Sequence, residues 1–114
     1  MLRQFHLRAS ADFERVKSTG KSWRHPWVTM GVVPNDLPHL RLGFVISKRF
    51  GNAVVRNRAR RVMREIMRLW LPLLKPGYDV VLIPRNELVG QPYTEVKAAL
   101  YQLIGRAQLW REES

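Results

Sequence analysis

Arg56, Arg58, Arg60, Arg61, Arg64 and Arg68 fall within residues 54–68, and Glu65 is the only acid among them. A guanidinium is planar, permanently charged and rich in donors, so it matches phosphate but has no acceptor and moves no proton near neutral pH. The chemistry this run offers is the holding of phosphate rather than its cleavage. Asn57 stands inside the run. Its amide donates and accepts together, so it could read a base edge or a 2′-hydroxyl where arginine only donates. It is equally an ordinary exposed polar residue near a first helical turn. Lys48 and Arg49 precede the run and extend it toward the positive end of a helix dipole, where phosphate is favoured. The stretch "GNAVVRN" lacks the glycine spacing and the Lys-Ser/Thr pair of a phosphate loop.

Little else in the chain could do catalysis. His6, His25 and His39 lie in three separate segments without a helical His-x-x-x-His partner, so a metal site is not expected. His25 adjoins Pro26 and reads as a strand-end residue. The acids are scattered, with no pair suited to two-metal phosphoryl chemistry, and no Ser-His-Asp arrangement presents itself. Cysteine is absent, which excludes disulfide frameworks and thiolate zinc sites. The expectation is a protein that binds and positions, with no catalytic residue and no metal of its own.

A chain of 114 residues suits a single domain spanning 1–114, and 46% hydrophobic residues are enough to bury a core. Lys plus Arg number 20 against 9 Asp plus Glu, a net charge of +11. Such an excess draws polyanions: RNA, DNA or an anionic membrane. The start "MLRQFHLRAS" has no secretory core, and the apolar runs "VVLI" and "WLPLL" are far short of a membrane span. A soluble cytoplasmic protein is expected.

These groups need elements to hold them. Ser10 as N-cap, Asp12 in the first turn and Gly20 as stop frame a helix over 11–19, with Phe13, Val16 and Lys17 on one face. Residues 23–33 read as a strand, with Pro26 at an edge or bulge. A turn cluster over 34–39 leads to a second strand over 40–47, and the two strands suggest an antiparallel hairpin. Asn52 caps a long helix over 53–71, which Pro72 ends or kinks. "YDVVLIP", 78–84, is apolar almost throughout and reads as a sheet centre. A last helix starts near Pro92 and runs to about Trp110. The order α-β-β-α-β-α is that of an α+β protein, a two-layer α/β sandwich. On a helical wheel Val55, Ala59, Val62, Ile66, Leu69 and Trp70 form the core-facing stripe of the long helix. Asn57, Arg61, Arg64 and Arg68 line the opposite face, with Arg56 and Arg60 on one flank and Arg58 on the other. Like charges at i,i+3 and i,i+4 repel by a few tenths of a kcal/mol per pair. A face that forgoes mixed signs is best explained by a polyanion that covers it.

The segment "ISKRFGNAVVRNRARRVMREI" resembles the signature helix of the bacterial ribonuclease P protein family, the small basic partner of the catalytic RNA that trims the 5′ leader from precursor tRNA. "DFERV" at 12–16, "LRLGFVIS" at 40–47 and "GYDVVLIPR" at 77–85 extend the match in order along nearly the whole chain. The resemblance implies a mixed sheet and a left-handed β-α-β crossover around the basic helix, where general statistics favour a right-handed one. It implies an RNA-binding surface of Arg8, Lys48, Arg49, Arg56, Asn57, Arg58, Arg60, Arg61, Arg64 and Arg68. It implies a leader cleft of Phe13, Lys17, Met30, Arg56, Asn57, Arg60 and Trp110, with unpaired bases stacked on Phe13 and Trp110. Phe13 would also serve as core packing against Val16, and Trp110 as a terminal cap on the core. Lys17 and Met30 stand where family members can carry aromatics, so the platform is thinner and leader binding leans more on charge. The partners implied are the catalytic RNA, one to one, and precursor tRNA, with magnesium held through the RNA; no membrane and no protein partner is expected. The alternative is a non-enzymatic RNA-binding protein such as a ribosomal protein of similar shape. A basic amphipathic helix on a membrane fits less well, because the flanking strands supply a core for its apolar stripe.

Overall fold

The structure is a computed structural model that describes Leu7 and residues 10–112. Arg8, His6 and the side chains of Ser10 and Asp12, on which several expectations fell, lie outside that description. Among the described residues three helices and four strands follow one another: α1 (Ser10–Thr19), β1 (Lys21–Arg24), β2 (Val28–Pro34), β3 (Arg41–Phe44), α2 (Ala53–Trp70), β4 (Tyr78–Pro84) and α3 (Tyr93–Arg106). Short 3₁₀ turns sit at Lys48–Phe50, Leu71–Leu73 and Asn86–Leu88.

The sheet order is β1-β2-β4-β3. β4 pairs antiparallel with β2 and parallel with β3, so the sheet is mixed. A parallel pair needs a crossover, and α2 is its helix. Two expectations are corrected. Residues 23–33 form two strands, not one, because Pro26 has no N–H to give a ladder and the chain turns there: His25 and Val28 exchange backbone hydrogen bonds of 2.9 and 3.3 Å. The expected hairpin between residues 23–33 and 40–47 is also absent, because β4 lies between β2 and β3. Both faces of β4 are apolar, with Val80 and Leu82 on one and Val81 and Ile83 on the other. It therefore takes the centre, where both faces are covered.

The main core lies between the sheet and the α2/α3 layer: Val28, Met30, Val32, Leu42, Val80 and Leu82 from strands meet Met63, Ile66, Met67, Leu100, Leu103 and Ile104. This is the expected sandwich. A smaller cluster on the other face joins Leu7, Val16, Val33 and Val81, with Phe13 packed against it, so α1 adds a partial third layer. The α2 stripe is turned by about 50° from the one expected on a wheel of 100° per residue. Ala59, Met63, Ile66, Met67 and Trp70 are buried, Val55 and Val62 are half-buried, and Leu69 is 54% exposed. Flexible methionines fill the uneven space under α3, which leaves the Leu69 flank uncovered.

α1 is held close to the sheet by two devices. A Cβ at Gly31 would lie 2.8 Å from Val16 Cγ1, and one at Gly43 would lie 2.8 Å from Phe13 Cε1, so only glycine allows this approach. Asp79, the one fully buried charged residue described, accepts hydrogen bonds from Arg41 Nε and Nη2 at 2.8 Å each and from Asn35 Nδ2 at 2.8 Å. Arg15 of α1 pairs with the same carboxylate and donates to Pro34 O at 2.6 Å. Burial alone would push the Asp79 carboxyl up. Hydrogen bonds from Arg41 and Asn35 and the charges of Arg41 and Arg15 outweigh it and hold the carboxyl below its ordinary value.

Candidate nucleic-acid interface

The cationic face begins at a well-made helix start. Asn52 is extended (φ −71°, ψ 177°), and its Oδ1 accepts from Val55 N at 3.0 Å, an N-cap as expected. Lys48 and Arg49 are exposed in the turn before it, anchored by buried Phe50. Along α2, Asn57, Arg58, Arg61 and Arg68 are exposed, while Arg56, Arg60 and Arg64 are half-buried. The turn of the apolar stripe toward Met63 and Met67 explains that inner row. Among the described residues no α2 arginine pairs with a carboxylate; the ion pairs found are Asp79 with Arg15 and Arg41, and Arg85 with Glu87. Arg60 Nη1 donates to Asn57 Oδ1 at 2.9 Å, so one lone pair of the Asn57 acceptor is engaged. Arg56 Nε is buried without a partner. Leaving that donor unpaired carries an energetic cost.

A groove of about 410 Å³ runs between α1 and the sheet face that carries Thr29, Gly31, Val81 and Ile83. Phe13, Val16 and Lys17 of α1 form its other wall, and Gly20, Ser22 and Val45 close its ends. The Phe13 ring rests on Gly43 and Leu7 and turns its remaining surface to the groove. Among the described residues Lys17 is the only cation of the lining. Of the cleft expected from resemblance, Phe13 and Lys17 are here, and the rest are not. Met30 is completely buried in the α2/α3 core; strand alternation gives the groove face to Thr29 and Gly31, its neighbours. Arg56, Asn57 and Arg60 belong to the α2 face. Trp110 is not in α3 as expected, because the helix ends at Arg106 and Gln108 takes a left-handed φ of 56°. The chain then folds back, Trp110 bridges Leu74, and its ring packs on Trp70 and Tyr101 in the α2/α3 layer. Thr29, Gly31, Val45 and Ile83 escaped the sequence reading. The signal for them was the unbroken apolar run of β4, which implies a second sheet face with something to do.

His25 is no part of a phosphate surface. Burial and the charge of Arg106 hold it below its ordinary 6.5, so it is neutral near pH 7. Among the described residues no group of three or more His, Cys, Asp or Glu could hold a metal ion, and no helix is long and apolar enough to cross a membrane.

The family model for ribonuclease P matches residues 1–108. The chain belongs to the ribonuclease P protein family. Membership carries the role of protein subunit of a ribonucleoprotein endoribonuclease in tRNA processing. The ribonuclease P protein component of Chloroflexus aurantiacus is 42% identical over 110 residues, covering 96% of this chain and 82% of that protein. That of Herpetosiphon aurantiacus is 37% identical over 112 residues, covering 98% and 91%. Among solved structures, the ribonuclease P protein of Thermotoga maritima superposes with a TM-score of 0.83 at 32% identity, over 89% of this chain and 98% of that one. The Staphylococcus aureus ribonuclease P protein gives 0.87 at 25% identity, over 94% and 98%.

Proposed function

We propose a division of labour between two surfaces on opposite sides of the sheet. The α2 face, with Lys48 and Arg49, binds phosphates of the catalytic RNA, one protein to one RNA. The α1 groove takes the unpaired 5′ leader of precursor tRNA. Cleavage is carried out in the cytoplasm by the RNA with its own magnesium, and the protein holds both strands in place. The carrying observation is the contrast between the surfaces. One is a row of arginines with no carboxylate to answer them, which suits a folded polyanion. The other is narrow and apolar, with one ring and one cation, which suits unstacked bases. Ser22 and Thr29 add hydroxyls able to donate or accept at a base edge.

The test is Phe13→Leu, which keeps most of the volume and removes the flat face. Affinity for precursor tRNA with a leader should fall by about 5-fold or more, the value of one stacked base, while affinity for mature tRNA holds. Equal losses on the two ligands would make Phe13 a packing residue and empty the groove of its role. Without RNA the protein should not cut labelled precursor tRNA; with it, the protein should restore cleavage at low magnesium.

A further inference from the structure

The C-terminal return builds an aromatic surface that neither proposed strand uses. Trp70, Tyr101 and Trp110 are mutually in contact, with ring centroids 5.9 Å apart for Trp70–Tyr101, 5.4 Å for Trp70–Trp110 and 5.2 Å for Tyr101–Trp110. Trp70 is buried, but Tyr101 is 59% exposed, and Trp110 is half-buried. The arrangement is fixed by main chain. Lys75 N donates to Leu109 O and Arg111 N to Leu73 O, both at 2.8 Å, on either side of the Leu74–Trp110 bridge. Buried Leu109 anchors the return.

Cations neighbour the rings along the chain. Arg111 follows Trp110, and its guanidinium is oriented by a 2.9 Å bond from Nε to Leu74 O, which leaves its outer nitrogens free to donate. Lys97 lies one turn before Tyr101 on α3, and Lys75 follows Leu74. Glu112 and Glu113 are the acids that follow in sequence. A plain cap on the core would need Trp70 and the inner edge of Trp110. It would not need a tyrosine more than half in solvent.

We infer that Tyr101 and Trp110, with Arg111, form a second stacking site, for one unpaired nucleotide of the catalytic RNA, the base on the rings and its phosphate on the guanidinium. The inference rests on the proposed division of labour between the α2 face and the α1 groove. Positive charge selects an RNA over a protein or an apolar ligand. The position selects the catalytic RNA: the rings belong to the α2/α3 layer, where Arg68 lies in the last turn of α2, and the leader groove lies across the sheet. Base on aromatic, backbone on cation is the usual economy of single-strand binding, and rigid placement keeps the entropy of capture low.

Two measurements decide it. Tyr101→Leu should weaken binding of the catalytic RNA by about 5-fold or more, up to 150-fold for a full stack, with the salt slope unchanged because no charge is lost. Tyr101→Phe should restore wild-type affinity. The ratio of affinities for precursor and mature tRNA should not move; a changed ratio would hand the rings to the leader and overturn the assignment. Unchanged RNA affinity in Tyr101→Leu would overturn it as well. The second measurement uses the unmodified protein. Tyrosine nitration should mark Tyr101 in the free protein and spare it in the complex with the catalytic RNA, against Tyr93, 42% exposed, as internal reference. Nitration of Tyr101 at the same rate in both states would sink the proposal.

Discussion

Replacing Asp79 with Asn tests whether one buried carboxylate ties α1 to the sheet. The carboxylate accepts from Arg41 twice, from Asn35 once and from Arg15. An amide offers one acceptor where there were two and turns an NH₂ toward arginine donors. Removing one partner of a buried pair costs about 3–5 kcal/mol. Arg15 and Arg41 retain 35% and 22% side-chain exposure, so water reaches them in the variant, and the lower end, about 3 kcal/mol, applies. At about 2.1 cal/mol/K per residue, 114 residues unfold with about 240 cal/mol/K, so Tm should fall by about 12 °C. The effect depends on pH with a definite sign. The folded carboxyl titrates below its ordinary 3.8, so its contribution is full above about pH 5 and shrinks as the pH falls past 3.8 toward the folded value. Urea melts at pH 7 and at pH 3 should therefore find a smaller gap between wild type and variant at pH 3. A loss below about 1 kcal/mol at pH 7, or a gap that widens on acidification, would refute the reasoning.

Asn52→Ala removes the cap on Val55 N and should cost about 1 kcal/mol, read by chemical denaturation. Gly43→Ala puts a methyl 2.8–2.9 Å from two Phe13 ring carbons; the ring must swing into the groove, and leader affinity should fall while binding of the catalytic RNA stays within 2-fold, roughly the scatter of a remote mutation. Binding of the catalytic RNA should lose about 300- to 2000-fold between 50 and 200 mM salt if about 6 phosphates are neutralised, a log–log slope of about −4.2 to −5.4. Arg64→Ala should flatten that slope by about one, as titrations at several salt concentrations will show.

Most of the frame was legible because it rests on local signals. Asn52, the arginine spacing and the apolar run of β4 each fix an element without reference to the rest of the chain. The basic face of α2 was legible for the same reason. What was misread depends on neighbours distant in sequence. Nothing in residues 23–47 says that a strand from 78–84 will enter between β2 and β3. Leu69 and Met67 differ little in hydropathy, and only the position of α3 decides which is covered. Met30 and Trp110 were carried over by position in a family pattern, and the pattern does not record side-chain direction; a shift of one residue along a strand exchanges one face for the other.

Both bonding neighbours of β4 are made before it, and residues 45–77 separate it from β3. As the chain emerges from the ribosome, β1 and β2 can pair at once, but both ladders of β4 must wait for residue 84. By then α2 is complete, and its greasy stripe has neither sheet nor α3 to lie on. Loops that long close slowly and give nothing back until they close, so the fold should arrive late and in one step. A nascent chain stalled in the loop before β4 would display a bare cationic helix to every RNA on the ribosome. A circular permutant that begins at β4 would place β2 and β3 still farther from it along the chain, and should refold more slowly from the same native contacts.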